Sequence, residues 1–293
     1  MKIYNLPDDF NSDEEQRSPV IIRAYQSRNK SLKNKAILHQ YMVDIILSGR
    51  KSIMNIDQVT NFEAGELMIL AKGNCVISQA LPENDLFSSV VLYFTNQVFM
   101  DFLIKYQGLA QSLDPAGRKP MLLYRQDKFI RYYLDSLQAI LQSPAGAIAE
   151  LKQLKLEELL LYLFSQDPSK LMSLRLAPLD DEDMELKRAV ESNICNPVTV
   201  EDLAFLCNMS LSSFKRRFNR LYGSSPIKWL VEQKMQIAAD LLKDPIERPS
   251  LVFEKIGYES HSSFTQAFKQ HFRITPKEYR EQKLNVWQQD LDF

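Results

Sequence analysis

Apolar positions along the chain change their period once before a third pattern begins. From about Val20 to Thr95 they fall in short runs: Val20–Ile22, Gln40–Leu47, Lys51–Ile56, Glu66–Leu70, Cys75–Ser78 and Ser88–Phe94. Turn formers at Ser48-Gly49-Arg50, Ala64-Gly65 and Lys72-Gly73-Asn74 separate them. Six short strands at this spacing predict a small antiparallel barrel or double sheet. The period becomes helical over Gln97–Leu109, Arg125–Gln142 and Ala147–Gln166. Ile130, Leu134, Leu137 and Leu141 form one stripe, and Ile148, Leu151, Leu159, Leu160 and Leu163 form another. Pro144-Ala145-Gly146 breaks the pair into a helical hairpin. The stripes predict packing on the strands and on each other, and Leu159 to Phe164 is apolar enough to meet a second subunit as well. Asp167 to Asp183, with two prolines and the acidic run Asp180-Asp181-Glu182-Asp183, reads as a linker. Its acids supply N-terminal charge to a helix over Met184–Asn193.

From Thr199 to Lys283 one short pattern occurs twice. Leu203-Ala204, Asn208-Met209-Ser210, Ser213-Phe214, Phe218, Ser225-Pro226 and Trp229 are followed by Val252-Phe253, Gly257-Tyr258, Ser260, Ser263-Phe264, Phe268, Thr275-Pro276 and Tyr279. The offset is 50 residues from Ser210 onward and 49 before it, so one turn is a residue longer than the other. Each copy predicts a helix-turn-helix. Thr199 caps a first helix with Glu201 and Asp202 in its opening turn. Asn208 or Gly257 takes the left-handed corner, and Ser210 or Ser260 caps the second helix. Leu211, Phe214, Phe218 and Leu221 then face inward.

The residues left outside the first of these second helices are Ser212, Ser213, Lys215, Arg216, Asn219 and Arg220. In the second copy they are His261, Ser262, Thr265, Gln266 and Lys269. Small side chains allow close approach to base edges, Arg can donate twice to guanine and Gln matches adenine, while further cations neutralise phosphates. Two such helices predict a site spanning two successive major-groove segments, about one helical turn apart.

This segment resembles the DNA-binding domain of the AraC/XylS family of bacterial transcription regulators. The resemblance rests on Leu203-Ala204, Met209-Ser210, Phe214, Arg216, Phe218, Gly223, Ser225-Pro226, Ala238 and Leu241-Leu242. Ile256-Gly257-Tyr258, Ser260, Ser263-Phe264, Phe268-Lys269 and Thr275-Pro276 continue it. It implies that Ser212, Arg216, His261, Ser262, Thr265 and Gln266 approach bases. Three residues depart from the family pattern: Phe253 for Ala, Gln266 for Arg, and Arg273 for Gly. An Arg in a left-handed corner is strained, which predicts a differently built end to the second reading helix. The family also places a cupin-like jelly roll upstream, and Leu47-Ser48-Gly49 with Glu63-Ala64-Gly65-Glu66 resembles its hairpins.

Charge divides the chain the same way. Residues 1–185 hold 20 Lys+Arg against 24 Asp+Glu, a net of −4, and residues 186–284 hold 16 against 11, a net of +5. A cationic module attached to an anionic one suits a DNA reader whose other domain stays off the phosphates. Three cysteines without paired spacing predict neither disulfides nor zinc. A non-haem iron site needs two His and a carboxylate, and the strand-rich half holds only His39, since His261 and His271 lie in the second motif. No metal, cofactor or catalytic activity is expected. No apolar run nears the ~20 residues of a membrane span, and the opening residues lack a signal-peptide core, which predicts a cytosolic protein.

The sequence therefore predicts an α+β chain: an N-terminal cupin-like β-barrel with a helical hairpin, then an all-α domain with two helix-turn-helix motifs. Residues 1–19 are expected to be a mobile tail and 20–119 a cupin-like sensory domain. Residues 120–178 are expected to form the hairpin, linker and dimer contact, and 179–293 the DNA-binding domain. The expected function is sequence-specific transcription regulation, read as activation. The expected partners are promoter duplex DNA, RNA polymerase, a second copy of the chain, and a small effector or regulatory protein. Met42, Ile45, Met54, Met68 and Ile69 favour a filled or apolar-ligand interior over a polar sugar pocket. The alternative is a metal-free cupin-type ligand- or protein-binding protein whose C-terminal repeat mediates protein contacts.

Overall fold

The computed structural model describes residues 3–10, 18–82, 86–106, 108, 119–142, 149–174, 182–244, 246–247 and 249–291. The chain divides into two units, Met1–Asn55 with Val59–Leu179, and Ile56–Gln58 with Asp180–Phe293.

The first unit contains β1 (Ile3–Leu6), β2 (Val20–Ser27), β3 (Ser31–Leu38), β4 (Tyr41–Ser48) and β5 (Arg50–Met54). It continues with β6 (Val59–Glu63), β7 (Glu66–Leu70), β8 (Gly73–Ala80), β9 (Phe87–Phe94) and β10 (Met121–Arg125). They form two five-stranded sheets, ordered β1-β3-β8-β5-β6 and β10-β7-β4-β9-β2. The expected barrel is thus an open double sheet, with no closing ladder among the described strands. One core lies between the sheets and includes Leu38, Met42, Ile53, Met68, Phe87 and Val91. A second core covers the outer face of the β4 sheet with helices: α1 (Asn96–Lys105), α2 (Lys128–Leu141), α3 (Ala149–Gln166) and α4 (Pro168–Ser173). Central β4 buries its first six residues because both its faces are covered, which is why it reads as a near-continuous apolar run.

Several sequence expectations change here. Ile3–Leu6, assigned to the tail, pairs in parallel with Lys35–Leu38 and places Leu6 in the core between the sheets. Residues 11–17 of that tail lie outside the described residues. Strand β3 has no legible strand period because Lys33, at φ 54°, and a register shift between Ser31 and Asn34 break its alternation. Strand β6 ends its sheet and buries only Phe62, so it shows no apolar run. Part of the supposed linker is α4: Pro168 opens it, where a missing N–H costs nothing, and Leu171 and Leu174 sink into the helix-side core. Strand β10 pairs with β7, so the segment 120–178 completes the sheet rather than standing apart. Leu159, Leu160, Leu163 and Phe164 are at most 2% exposed in their own core, and Leu154 is the large apolar side chain that α3 leaves exposed. Leu161 and Tyr162, the other residues of the run expected to meet a second subunit, are half-buried against the same core. The hairpin break at Pro144-Ala145-Gly146 and the acids Asp180 and Asp181 fall outside the described residues.

The second unit contains α5 (Glu182–Ser192), α6 (Val200–Leu206), α7 (Leu211–Tyr222), α8 (Pro226–Leu242), α9 (Pro249–Lys255), α10 (His261–Phe272) and α11 (Pro276–Leu291). It has two cores. The first gathers Leu186, Val190, Leu203, Phe214, Phe218 and Leu230, and the second gathers Met235, Ala238, Leu242, Val252, Phe264 and Phe268. Helix α8, ~25 Å long at 1.5 Å per residue, gives its first half to one core and its second half to the other.

Candidate nucleic-acid interface

The two motifs are built by the same local chemistry. Thr199 and Asp202 form a reciprocal capping box at the start of α6. At the corner that ends α6, the amide of Met209 donates to Ala204 O (2.9 Å) and that of Asn208 to Phe205 O (2.9 Å). At the end of α9, Tyr258 donates to Phe253 O (2.9 Å) and Gly257 to Glu254 O (3.1 Å). Asn208 and Gly257 hold the left-handed corners at φ 54° and 72°. Ser210 and Ser260 then accept from the amides of Ser213 and Ser263, each at 3.2 Å. Between corner and cap stands Met209 in one copy and Tyr258-Glu259 in the other, which is the extra residue of the repeat.

Both reading helices rest on four aromatic rings at equivalent positions. Phe214, Phe218, Tyr222 and Trp229 support α7, with Phe218 edge-on to Trp229 at 5.8 Å. Phe264, Phe268, Phe272 and Tyr279 support α10, with Phe268 edge-on to Tyr279 at 5.5 Å. The third ring of each set, Tyr222 and Phe272, was missed in the sequence, although the 50-residue offset points to it. Both reading helices end in the same left-handed cap: Gly223 at φ 65° donates to Asn219 O, and Arg273 at φ 68° donates to Lys269 O. The expectation that Arg273 changes the helix end is therefore corrected, because four intact rings and the cap hydrogen bond outweigh the strain. Thr275 and Glu278 form the next capping box, and the Thr275 amide holds the Glu278 carboxylate below its usual range.

Of the first reading helix, Ser212, Lys215, Arg216, Asn219 and Arg220 are exposed and Ser213 is half-buried. Ser213 is committed to the cap, its hydroxyl accepting from Ser210 Oγ at 3.0 Å. Of the second, His261, Ser262, Gln266 and Lys269 are exposed, and Thr265 is half-buried with its hydroxyl donated to His261 O at 2.8 Å. Arg220 is not a free cation: its Nη2 lies 2.7 and 2.6 Å from the two oxygens of Asp183. Its neighbour Arg217, outside the expected reading face, pairs with Glu182 and lies 3.5 Å from Asp183. The acids at the start of α5 thus face the cationic end of α7, across a separation of more than 30 residues that no local pattern reveals.

The first unit holds a cavity of about 350 Å³ between its sheets, lined by Arg23, Tyr25, Met42, Lys51, Gln79 and Tyr93 among others. Lys51 is buried and paired with Asp44, and its ammonium lies 5.1 Å from the Phe87 ring centre and 5.7 Å from that of Tyr25. Ile45 and Ile69, expected to line this interior, belong to the helix-side core instead, since alternation along a strand sends them to the other face. The wall is therefore mixed, with a neutralised ion pair among aromatics. Burial pushes the thiols of Cys75 and Cys207 up to about 12, so both are inert at neutral pH.

Comparison with known proteins agrees with this division. Residues 41–174 match the model of the ExsA N-terminal regulatory domain, and residues 203–282 match a helix-turn-helix domain. The virulence regulon transcriptional activator VirF of Yersinia enterocolitica is 27% identical over 243 residues, 82% of this chain and 89% of its own. The transcriptional regulator ExsA of Pseudomonas aeruginosa is 25% identical over 245 residues, 82% and 86% of the two chains. Among solved structures, ToxT from Vibrio cholerae matches 90% of this chain and 98% of its own at 14% identity and a TM-score of 0.41. With an N-terminal segment that matches the ExsA N-terminal regulatory domain and a C-terminal segment that matches a helix-turn-helix domain, the chain is similar along most of its length to transcription regulators of the AraC/XylS family.

Proposed function

We propose that the protein activates transcription by inserting α7 and α10 into two successive major-groove segments of one promoter site, on one face of the duplex. The observation that carries this reading is the duplication itself: two helices with matching caps, corners and ring supports, each presenting an exposed polar face. Arg216 and Gln266 are the side chains suited to guanine and adenine, Ser212, His261, Ser262 and Thr265 sit where close approach is needed, and Lys215, Asn219 and Lys269 suit phosphates. The protein acts by binding, in the cytosol, and hands its signal to RNA polymerase, as activation requires. Control enters through the first unit, from a small effector in the cavity between the sheets or from a regulatory protein. Dimerisation would raise affinity on paired sites by effective concentration rather than new contacts.

The test is selection of duplexes from a random pool by the full chain, followed by footprinting and salt titration. Two protected major-groove segments roughly 10 base pairs apart, with affinity falling linearly in log salt, are expected. Protection of a single segment, or binding without sequence preference, would sink the two-segment reading.

A further inference from the structure

The two corners of the repeat share a backbone conformation but not a residue. Asn208 at φ 54° shows that this corner does not need glycine, yet its counterpart at φ 72° is Gly257. The difference lies in what packs behind. A Cβ on Gly257 would sit 2.3 Å from Cys195 O and 2.9 Å from Asn196 C, so the corner of the second motif is pressed onto the backbone that leads into the first. That loop belongs to both motifs: Ile194 and Val198 pack on the first core, and Cys195 packs on the second. Lys234, in the middle of α8, spans the junction. Its ammonium donates to Asn196 O at 3.3 Å and to Gly257 O at 3.4 Å, and lies 5.5 Å from the Tyr258 ring centre.

We infer that Gly257 and Lys234 are positioning residues that lock the two motifs together and so fix the spacing of half-sites the protein accepts. This rests on the two-segment reading above. A single shared helix would allow the motifs to rock about α8. Three ties on one loop, from Cys195, the Gly257 backbone and Lys234, remove that freedom. Neither residue lies on a reading face, so they carry no base contact of their own. What they control is whether α7 and α10 reach their grooves together, which makes the second contact intramolecular and strong only at the matching separation.

Gly257→Ala is the direct variant, but its clash and its strained φ can unfold the motif. Lys234→Met keeps the stem and removes only the donors. The experiment uses the full chain and the duplex selected by the wild type, with and without two base pairs inserted between the half-sites, a rotation of about 70° on a 10.5 base-pair turn. The wild type is expected to lose at least about tenfold in affinity on the insertion. Lys234→Met is expected to bind the original duplex about three- to tenfold more weakly and to lose no more than about twofold on the insertion. Lys234→Arg, which keeps a charged donor, should restore the wild-type penalty. A Lys234→Met protein with the full penalty overturns the inference. So does one that loses its helical circular dichroism, because Lys234 would then be needed for folding rather than for spacing. A wild-type chain that selects no two-segment duplex fails at an earlier step and sinks the functional reading instead.

Discussion

Arg216 and Arg220 stand one turn apart on α7, and their circumstances differ. Arg216 is exposed with no partner among the described residues, so it can reach a base edge at no cost in broken contacts. Arg216→Ala is expected to lose about 1–3 kcal/mol at one base pair and to relax preference there. Unchanged preference in a repeat of the selection, with an intact fold, would remove Arg216 from the reading set. Arg220 and Arg217 are held by Asp183 and Glu182. Each pair has one exposed and one half-buried partner, and solvent-reached pairs of this kind contribute only about 0–1 kcal/mol, so phosphate can compete for the guanidinium groups. Asp183→Asn should therefore raise affinity for all duplexes alike, by about two- to fivefold, and steepen the salt slope by about one. A gain confined to the selected sequence would show that Asp183 acts on base reading instead. The exposed face of α7 was legible from period and composition. Its acidic counterweight was not, because the pairing is tertiary.

At the scale of elements, caps were the most readable feature. Thr199, Ser210 and Ser260 were placed from residue type alone, and all three accept the expected amide bonds. The helix end at Arg273 was less readable, since sequence shows strain but not what withstands it. A left-handed Arg costs about 1–2 kcal/mol, partly offset by the extra unfolded-state entropy of a glycine. Arg273→Gly should stabilise the second motif by about 0.5–1 kcal/mol, read from urea denaturation. A destabilised variant would mean that the Arg273 side chain makes a contact worth more than its strain. Strands differ in legibility for a physical reason: β4 and β9, covered on both faces, are apolar along most of their length, whereas β1, β3 and β6 bury little or carry a bulge.

For the whole molecule, the decisive property is that the segment from Leu179 to Lys283 supplies all but one residue of both reader cores. A fragment from Leu179 to Lys283 contains every residue of those cores except Ile56, and is expected to fold alone and select the same duplex as the full chain, with the same two-segment footprint. A folded fragment that protects one segment would mean that the first unit takes part in reading. The sequence by itself determined the repeat, its offsets, its caps and corners, the exposed reading faces and the charge asymmetry between halves. Each of these is set by local hydrogen bonding or by the 3.6-residue period, which the chain carries wherever it folds. Only the tertiary structure decided that the strands stack as an open double sheet and that Leu159, Leu160, Leu163 and Phe164 sink into the helix-side core. It also decided that Lys51 and Asp44 meet inside, that Asp183 guards Arg220, and that Gly257 is glycine for the backbone behind it. These depend on which distant segments come within a few ångströms of one another, and no local pattern encodes that separation.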